Sequence, residues 1–295
     1  MYPAEFEYFS PRTVDEALDL LVKYGEDAKI LSGGQSLVPM MKLRIASPRC
    51  LIDISRIEGL TGLRRVDDRL SMGALCRHAD VAASPLVEEH LPLMLDAVRL
   101  TADVQVRNRG TVAGSLAHAD PAGDWPAALT ALDTHVTIAS PRGLRTITLD
   151  AFILDAYTTA LAGDEMVTEV SVSIPRPPAG GAYVKFEKRA GDFAVASVGV
   201  QLALDGDRCV GAAVSLGALG ATPIRARAAE AVLQGQETSV DLGRAEQLVR
   251  EAAQPFEDTR GSVDYKRHLA GVLFRRAFAL ATERSRGVRV PTLHL

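Results

Sequence analysis

Two short glycine-bearing segments stand about eighty residues apart in this chain, Ser32-Gly33-Gly34-Gln35-Ser36 and Thr111-Val112-Ala113-Gly114-Ser115. Each falls where the pattern predicts a strand meeting a helix. Glycine at such a junction lets the backbone turn tightly and keeps side chains out of the way, so that successive N–H groups and a helix N-terminus can face an anion. Each segment also carries hydroxyl side chains able to add a hydrogen bond. One such loop suits a single phosphate. Two in one domain suit a pyrophosphate, and so a dinucleotide. The plainer reading is a pair of ordinary tight turns.

Neither loop has the GxGxxG spacing of the usual NAD fingerprint, and neither carries the Lys-Ser/Thr of a P-loop. No HExxH, G-x-S-x-G or cysteine-histidine cluster is present, so no metal or nucleophilic residue is assigned, and no residue is assigned a catalytic role. Cys50, Cys76 and Cys209 are isolated, which excludes a CxxC-type zinc or iron-sulfur site on this chain. At 295 residues and 47% hydrophobic the chain has the material for a large core. Its net charge of -4 and scattered basic residues argue against nucleic acid. Apolar runs such as 195–204 are interrupted and too short for membrane insertion, and no secretory signal is recognised at the N-terminus, so a cytoplasmic protein is expected.

The capping-box pattern Thr13-Val14-Asp15-Glu16 predicts a helix running to Tyr24, with Val14, Ala17, Leu18, Leu21 and Val22 recurring at helical spacing as its apolar face. Strands are expected over 29–31 and 51–54, and a hairpin over 63–73 turning at Asp67-Asp68. Helices follow near 77–83 and 91–101, and a helix over 121–132 carries Trp125 as a core residue, with Asp120 placed to cap it. Further strands are expected over 136–139 and 145–149, and one ending at Ile174. The run 175–181, rich in proline and glycine, reads as a linker between two domains. Beyond it, strands over 183–189, 194–204 and 209–216 precede helices near 223–233, 242–253 and 264–282.

Three stretches then become recognisable: 33–44 around Gln35-Ser36-Leu37-Val38, 111–121 around Ala113-Gly114-Ser115, and 185–194 from Lys185 to Ala194. In order and at their spacing, they resemble the FAD-binding medium subunit of the molybdenum hydroxylases, the family of carbon monoxide dehydrogenase and xanthine dehydrogenase. The resemblance covers essentially the whole chain. It implies an α+β fold: a vanillyl-alcohol-oxidase (PCMH-type) FAD-binding domain over 1–176, in subdomains of about 1–55 and 56–176. A C-terminal domain of carbon monoxide dehydrogenase flavoprotein type follows over 181–290, a small three-stranded antiparallel sheet with a helical bundle.

The same resemblance implies the site. Residues 32–36 and 111–115 would hold the pyrophosphate of non-covalent FAD, Asp124 would contact its ribose or ribityl region, and Val38, Leu37 and Ala102 would lie beside it. Lys185 would stand at the polar edge of the isoalloxazine, favouring the anionic reduced ring, with Phe193 as an aromatic cover where relatives often have tyrosine. The competing reading of Lys185 is a solvated surface lysine, and His118 reads as an ordinary loop histidine. Function would then be electron transfer, from [2Fe-2S] clusters on a small partner subunit through FAD to an external acceptor. A large partner subunit would carry Mo-molybdopterin, and the assembly would be a dimer of heterotrimers. A free-standing FAD oxidoreductase of the same fold ranks lower, because Gln35 stands where a flavin-tethering histidine could and glutamine forms no such bond. A scaffold that has lost its flavin ranks lower still, since both loops are intact.

Overall fold

Thr13 fixes the first element. Its Oγ1 accepts the N–H of Glu16, and Glu16 Oε2 accepts that of Arg12, one residue ahead of the usual reciprocal partner. Helix α1 (Val14–Tyr24) therefore begins where the pattern puts it and buries Ala17, Leu18 and Leu21 with Val14 packed beside them, whereas Val22, expected on the same face, turns outward and is 59% exposed. The chain is described by a computed structural model over residues 2–295. Beneath α1 lies a parallel sheet of β1 (Glu7–Phe9), β2 (Ala28–Leu31) and β3 (Cys50–Asp53) in the order β1-β3-β2. Helix α2 (Leu37–Lys42) makes the crossover between β2 and β3.

A second, antiparallel sheet takes β4 (Leu63–Val66), β5 (Arg69–Gly73), β6 (Thr134–Ser140) and β7 (Gly143–Thr148). After the small elements α9 (Leu149–Phe152), β8 (Ile153–Asp155) and β9 (Thr158–Thr159), strand β10 (Met166–Ser173) enters its centre, giving the order β4-β5-β10-β6-β7. The β4–β5 hairpin turns at Asp67-Asp68, and Asp67 takes the positive φ of 53° that an aspartate tolerates in such a turn. Six helices separate β5 from β6: α3 (His78–Ala82), α4 (Pro85–His90), α5 (Pro92–Leu100), α6 (Val104–Arg107), α7 (Val112–His118) and α8 (Asp124–Thr130). Helix α8 starts three residues later than predicted, because Asp120 accepts the N–H groups of Ala122 and Gly123 and spends 121–123 in a turn.

The third sheet holds β11 (Ala179–Phe186), β12 (Ala196–Asp205) and β13 (Arg208–Gly217), joined at one edge by the two-residue β14 (Ile224–Arg225). Helices α10 (Arg227–Leu233), α11 (Gly243–Ala252) and α12 (Val263–Ser285) complete the chain, and Leu269, Leu273 and Ala277 of α12 are buried as its pattern predicts. Strand β11 begins inside the expected linker. Gly180 and Gly181 do not loosen it: a Cβ at Gly180 would lie 2.3 Å from Ala281 O and Ser285 N, and one at Gly181 2.3 Å from Gln201 Oε1 and 2.9 Å from Leu93. These glycines let β11 press against α12 on one side and α5 on the other.

Two hydrophobic cores result. One gathers Trp125, Phe152, Leu70, Met72, Val136 and Val170, and the other Val184, Val198, Val200, Leu273, Phe274 and Phe278. Strand β11 serves both, since Tyr183 packs into the first while Ala182 and Val184 pack into the second.

Candidate functional site

The two glycine loops meet. Ser32 Oγ lies 3.0 Å from Thr111 Oγ1, although 79 residues separate them. Thr111 is the N-cap of α7 and its Oγ1 accepts the N–H of Gly114. The first loop joins β2 to α2 as predicted, whereas the second is entered from α6, with Thr111 held opposite Arg77 by a single β-bridge. Glycine at 33 has a local cause. A Cβ there would lie 2.2 Å from Arg109 O and 2.7 Å from Gly110 Cα, so only glycine lets the loops touch. Gly34 is needed for its φ of 74°, with Leu31 and Val38 beneath it.

This junction is chemically suited to an anion. Among the described residues the backbone N–H groups of Gly33, Gly34, Gln35 and Ser36 donate to no protein acceptor, and neither does that of Ala113. Elsewhere in the loops Val112 N–H donates to Cys76 O, Ser115 N–H to Thr111 O and Val38 N–H to Gly34 O. Ser36, at the N-cap of α2, makes no capping bond with its side chain, so its hydroxyl is free as well. Half a dozen unpaired donors within two touching loops suit a doubly charged phosphate pair. Gln35 is exposed, while Leu37 and Val38 are half-buried under the loop.

The remaining predicted residues converge elsewhere, at the seam between the two cores. Lys185 on β11 is 1% exposed, which removes the surface-lysine reading. Its ammonium donates to Leu100 O at 2.8 Å and to Asp124 Oδ2 at 3.1 Å, and pairs with Glu187 Oε2 at 2.9 Å. Tyr183 donates its hydroxyl to Asp124 Oδ1. Burial pushes the Asp124 carboxyl up, against the pull of the Lys185 charge and the hydrogen bonds from Lys185 and Tyr183. Burial, and then the Asp124 charge, push the Tyr183 phenol well above its ordinary value. One ammonium thus faces two carboxylates, so Lys185 offers its surroundings no net positive charge.

Glu187 extends this cluster outward. Its Oε1 accepts the N–H of Gly191, and a Cβ at Gly191 would lie 3.0 Å from Ala102 O. Ala102 itself holds a φ of 44°, kept there by Arg107, whose guanidinium donates to Thr101 O and Ala102 O. Phe193, next in this turn, is half exposed, with the Arg260 guanidinium 5.9 Å from its ring centre. Tyr183 and Glu187 were missed in the sequence, yet they flank Lys185 at two-residue spacing, Tyr183 on the same face of β11 and Glu187 one residue beyond the strand's end. His118 lies 3.9 Å from Asp120, and burial lowers its pKa against the Asp120 charge.

With this geometry in hand, comparison with known proteins is informative. Residues 4–177 match the model of the FAD binding domain in molybdopterin dehydrogenase, and residues 181–281 that of the CO dehydrogenase flavoprotein C-terminal domain. The chain belongs to the FAD-binding medium subunits of the molybdenum hydroxylases. As a medium subunit it is 39% identical to the carbon monoxide dehydrogenase medium chain of Hydrogenophaga pseudoflava, over 96% of this chain and 99% of that one. It is 41% identical to the nicotine 6-hydroxylase medium subunit of Paenarthrobacter nicotinovorans, over 94% and 98%. The solved carbon monoxide dehydrogenase from Hydrogenophaga pseudoflava superposes with a TM-score of 0.94 at 40% identity, covering 96% of this medium subunit and 99% of that chain. It is therefore an oxidoreductase component, of a kind whose relatives are named as chains and subunits of larger enzymes. Among its described residues no helix is long and apolar enough to cross a membrane.

Proposed function

We propose that this subunit binds FAD non-covalently and relays electrons from [2Fe-2S] clusters on a small partner subunit to an external acceptor. A large molybdenum-binding partner oxidises the substrate, and the assembly is a cytoplasmic dimer of heterotrimers. The observation that carries the reading is the run of undirected N–H groups from Gly33 to Ser36, packed on the Thr111 loop through Ser32. Those donors, with Ser36 and the Ala113 N–H, would hold the pyrophosphate. Gln35 leaves the cofactor untethered. FAD, when bound, supplies a centre that exchanges one or two electrons.

The chain's own residues bind and orient. Asp124 would face the ribityl region and Lys185 would stand near the pyrimidine edge, where its ammonium, with its three N–H groups directed at Leu100, Asp124 and Glu187, would hold those groups in position rather than act as a free cation. Ala102 and Phe193 would flank the ring from the two domains, 1–176 and 181–290.

Purified full-length chain is titrated with FAD and followed by flavin fluorescence and visible absorbance, with circular dichroism to establish folding. Saturable binding at one FAD per chain is expected; a folded sample that binds none overturns the reading. Affinity capture from native lysate then separates a subunit from a self-sufficient oxidase. Co-purifying chains containing molybdenum and iron are expected, and an active enzyme without them overturns the relay.

A further inference from the structure

A pyrophosphate at the glycine loops brings two negative charges, and the residues assigned to it so far bring none of opposite sign. Lys185 is taken by Asp124 and Glu187. Two guanidiniums stand at the same loops. Arg77 and Arg109 line a cleft of about 360 Å³ together with Ser32, Thr111, Ser55 and Asp80. Their backbones are fixed. Arg109 O seats Gly33, Arg77 bridges to Thr111, and the Arg77 N–H donates to Asp80 Oδ2. Their side chains are exposed, and among the described residues no hydrogen bond or ion pair occupies either guanidinium.

Asp53, at the end of β3, is already bonded by the Tyr8 hydroxyl and the Ser55 N–H, and Asp80 is partly spent on Arg77 N–H. Asp80 in the lining and Asp53 beside it, which feels the Arg109 charge, balance the two arginines in number, but neither carboxylate comes within ion-pair distance of a guanidinium, so both guanidiniums are open to an added anion. It also lies where ligands sit in parallel sheets, outside the carboxyl ends of β2 and β3, which lead directly to Ser32 and Ser55. A planar guanidinium matches phosphate oxygens two at a time, and each such charge-assisted contact is worth more than a neutral hydrogen bond.

We propose that Arg77 and Arg109 are the cationic contacts of the dinucleotide's pyrophosphate, completing a site whose remaining donors are backbone N–H groups and hydroxyls. This rests on the FAD reading above. The test measures FAD affinity of the full chain by flavin fluorescence, for the wild type, Arg77→Gln, Arg109→Gln and the double variant, across a series of salt concentrations. Both side chains are exposed, so thermal unfolding should match the wild type. Each single variant is expected to bind FAD about tenfold more weakly or worse, with a shallower salt dependence. A double variant with wild-type FAD affinity overturns the proposal while leaving the FAD reading intact. So does a loss of affinity that keeps the full salt dependence, since that is a structural effect. A folded wild type that binds no FAD removes the FAD reading, and this inference with it.

Discussion

Lys185 and Asp124 meet at 3.1 Å although one belongs to β11 and the other to α8, and they are 1% and 8% exposed. Removing the lysine strands two carboxylates in the interior. Lys185→Met should cost about 3–5 kcal/mol of stability, the usual penalty for an orphaned buried charge. Adding Asp124→Asn should recover part of that loss. Urea denaturation midpoints for the two variants check both statements.

His78 makes stability depend on pH. It is buried and stacked on Trp125 with ring centres 5.4 Å apart, its Nδ1 has no partner, and burial, helped by the Arg107 charge, lowers its pKa from 6.5 to about 4. The folded state therefore resists a proton that the unfolded chain accepts. The stabilisation is complete above pH 6.5 and is lost as pH falls toward 4, by up to about 3 kcal/mol. His78→Phe retains a ring against Trp125 and should flatten this part of the stability profile, read from unfolding midpoints between pH 7 and 4.

Gly33 and Gly34 should fail differently. Gly33→Ala drives a methyl against Arg109 O and parts the two loops, so FAD affinity should fall by tenfold or more. Gly34→Ala meets only side chains but must hold φ near 74°, a strain of about 1–2 kcal/mol that appears mainly in stability. Parallel FAD titrations and melting curves separate the two; equal FAD affinities would place the pyrophosphate elsewhere.

Glu187 holds the turn that carries Phe193. Glu187→Gln keeps a carbonyl for the Gly191 N–H, whereas Glu187→Ala removes it. Trypsin should therefore cleave after Arg189 faster in the alanine variant, with the glutamine variant close to wild type. Time courses by mass spectrometry decide it.

Where local chemistry governs, the sequence was legible. The Thr13 cap, the Asp67 turn and the face of α12 stand as predicted, because capping, turn residues and periodicity act within a few positions. Both glycine loops were also legible as loops. What could not be read was why each glycine is there. Gly33, Gly180 and Gly181 answer to neighbours 76, 101 and 20 positions away, and a close approach from a distant part of the chain leaves no local trace. Arg77 and Arg109 were passed over for the same reason, since nothing near them in sequence marks them as free. The neutralisation of Lys185 needed Asp124 from another element, although Glu187 was two positions away, just past the end of the same strand.

The double service of β11 bears on how such chains are re-engineered. Tyr183 seals one core while its neighbours Ala182 and Val184 seal the other, and the buried Arg284–Asp96 pair rivets α12 to α5 beside it. A chimera joined at the proline run would give each half a strange partner for this strand. Grafting a C-terminal half from a relative should succeed only when α5, α8 and β11 travel together, as one inherited block rather than two exchangeable modules.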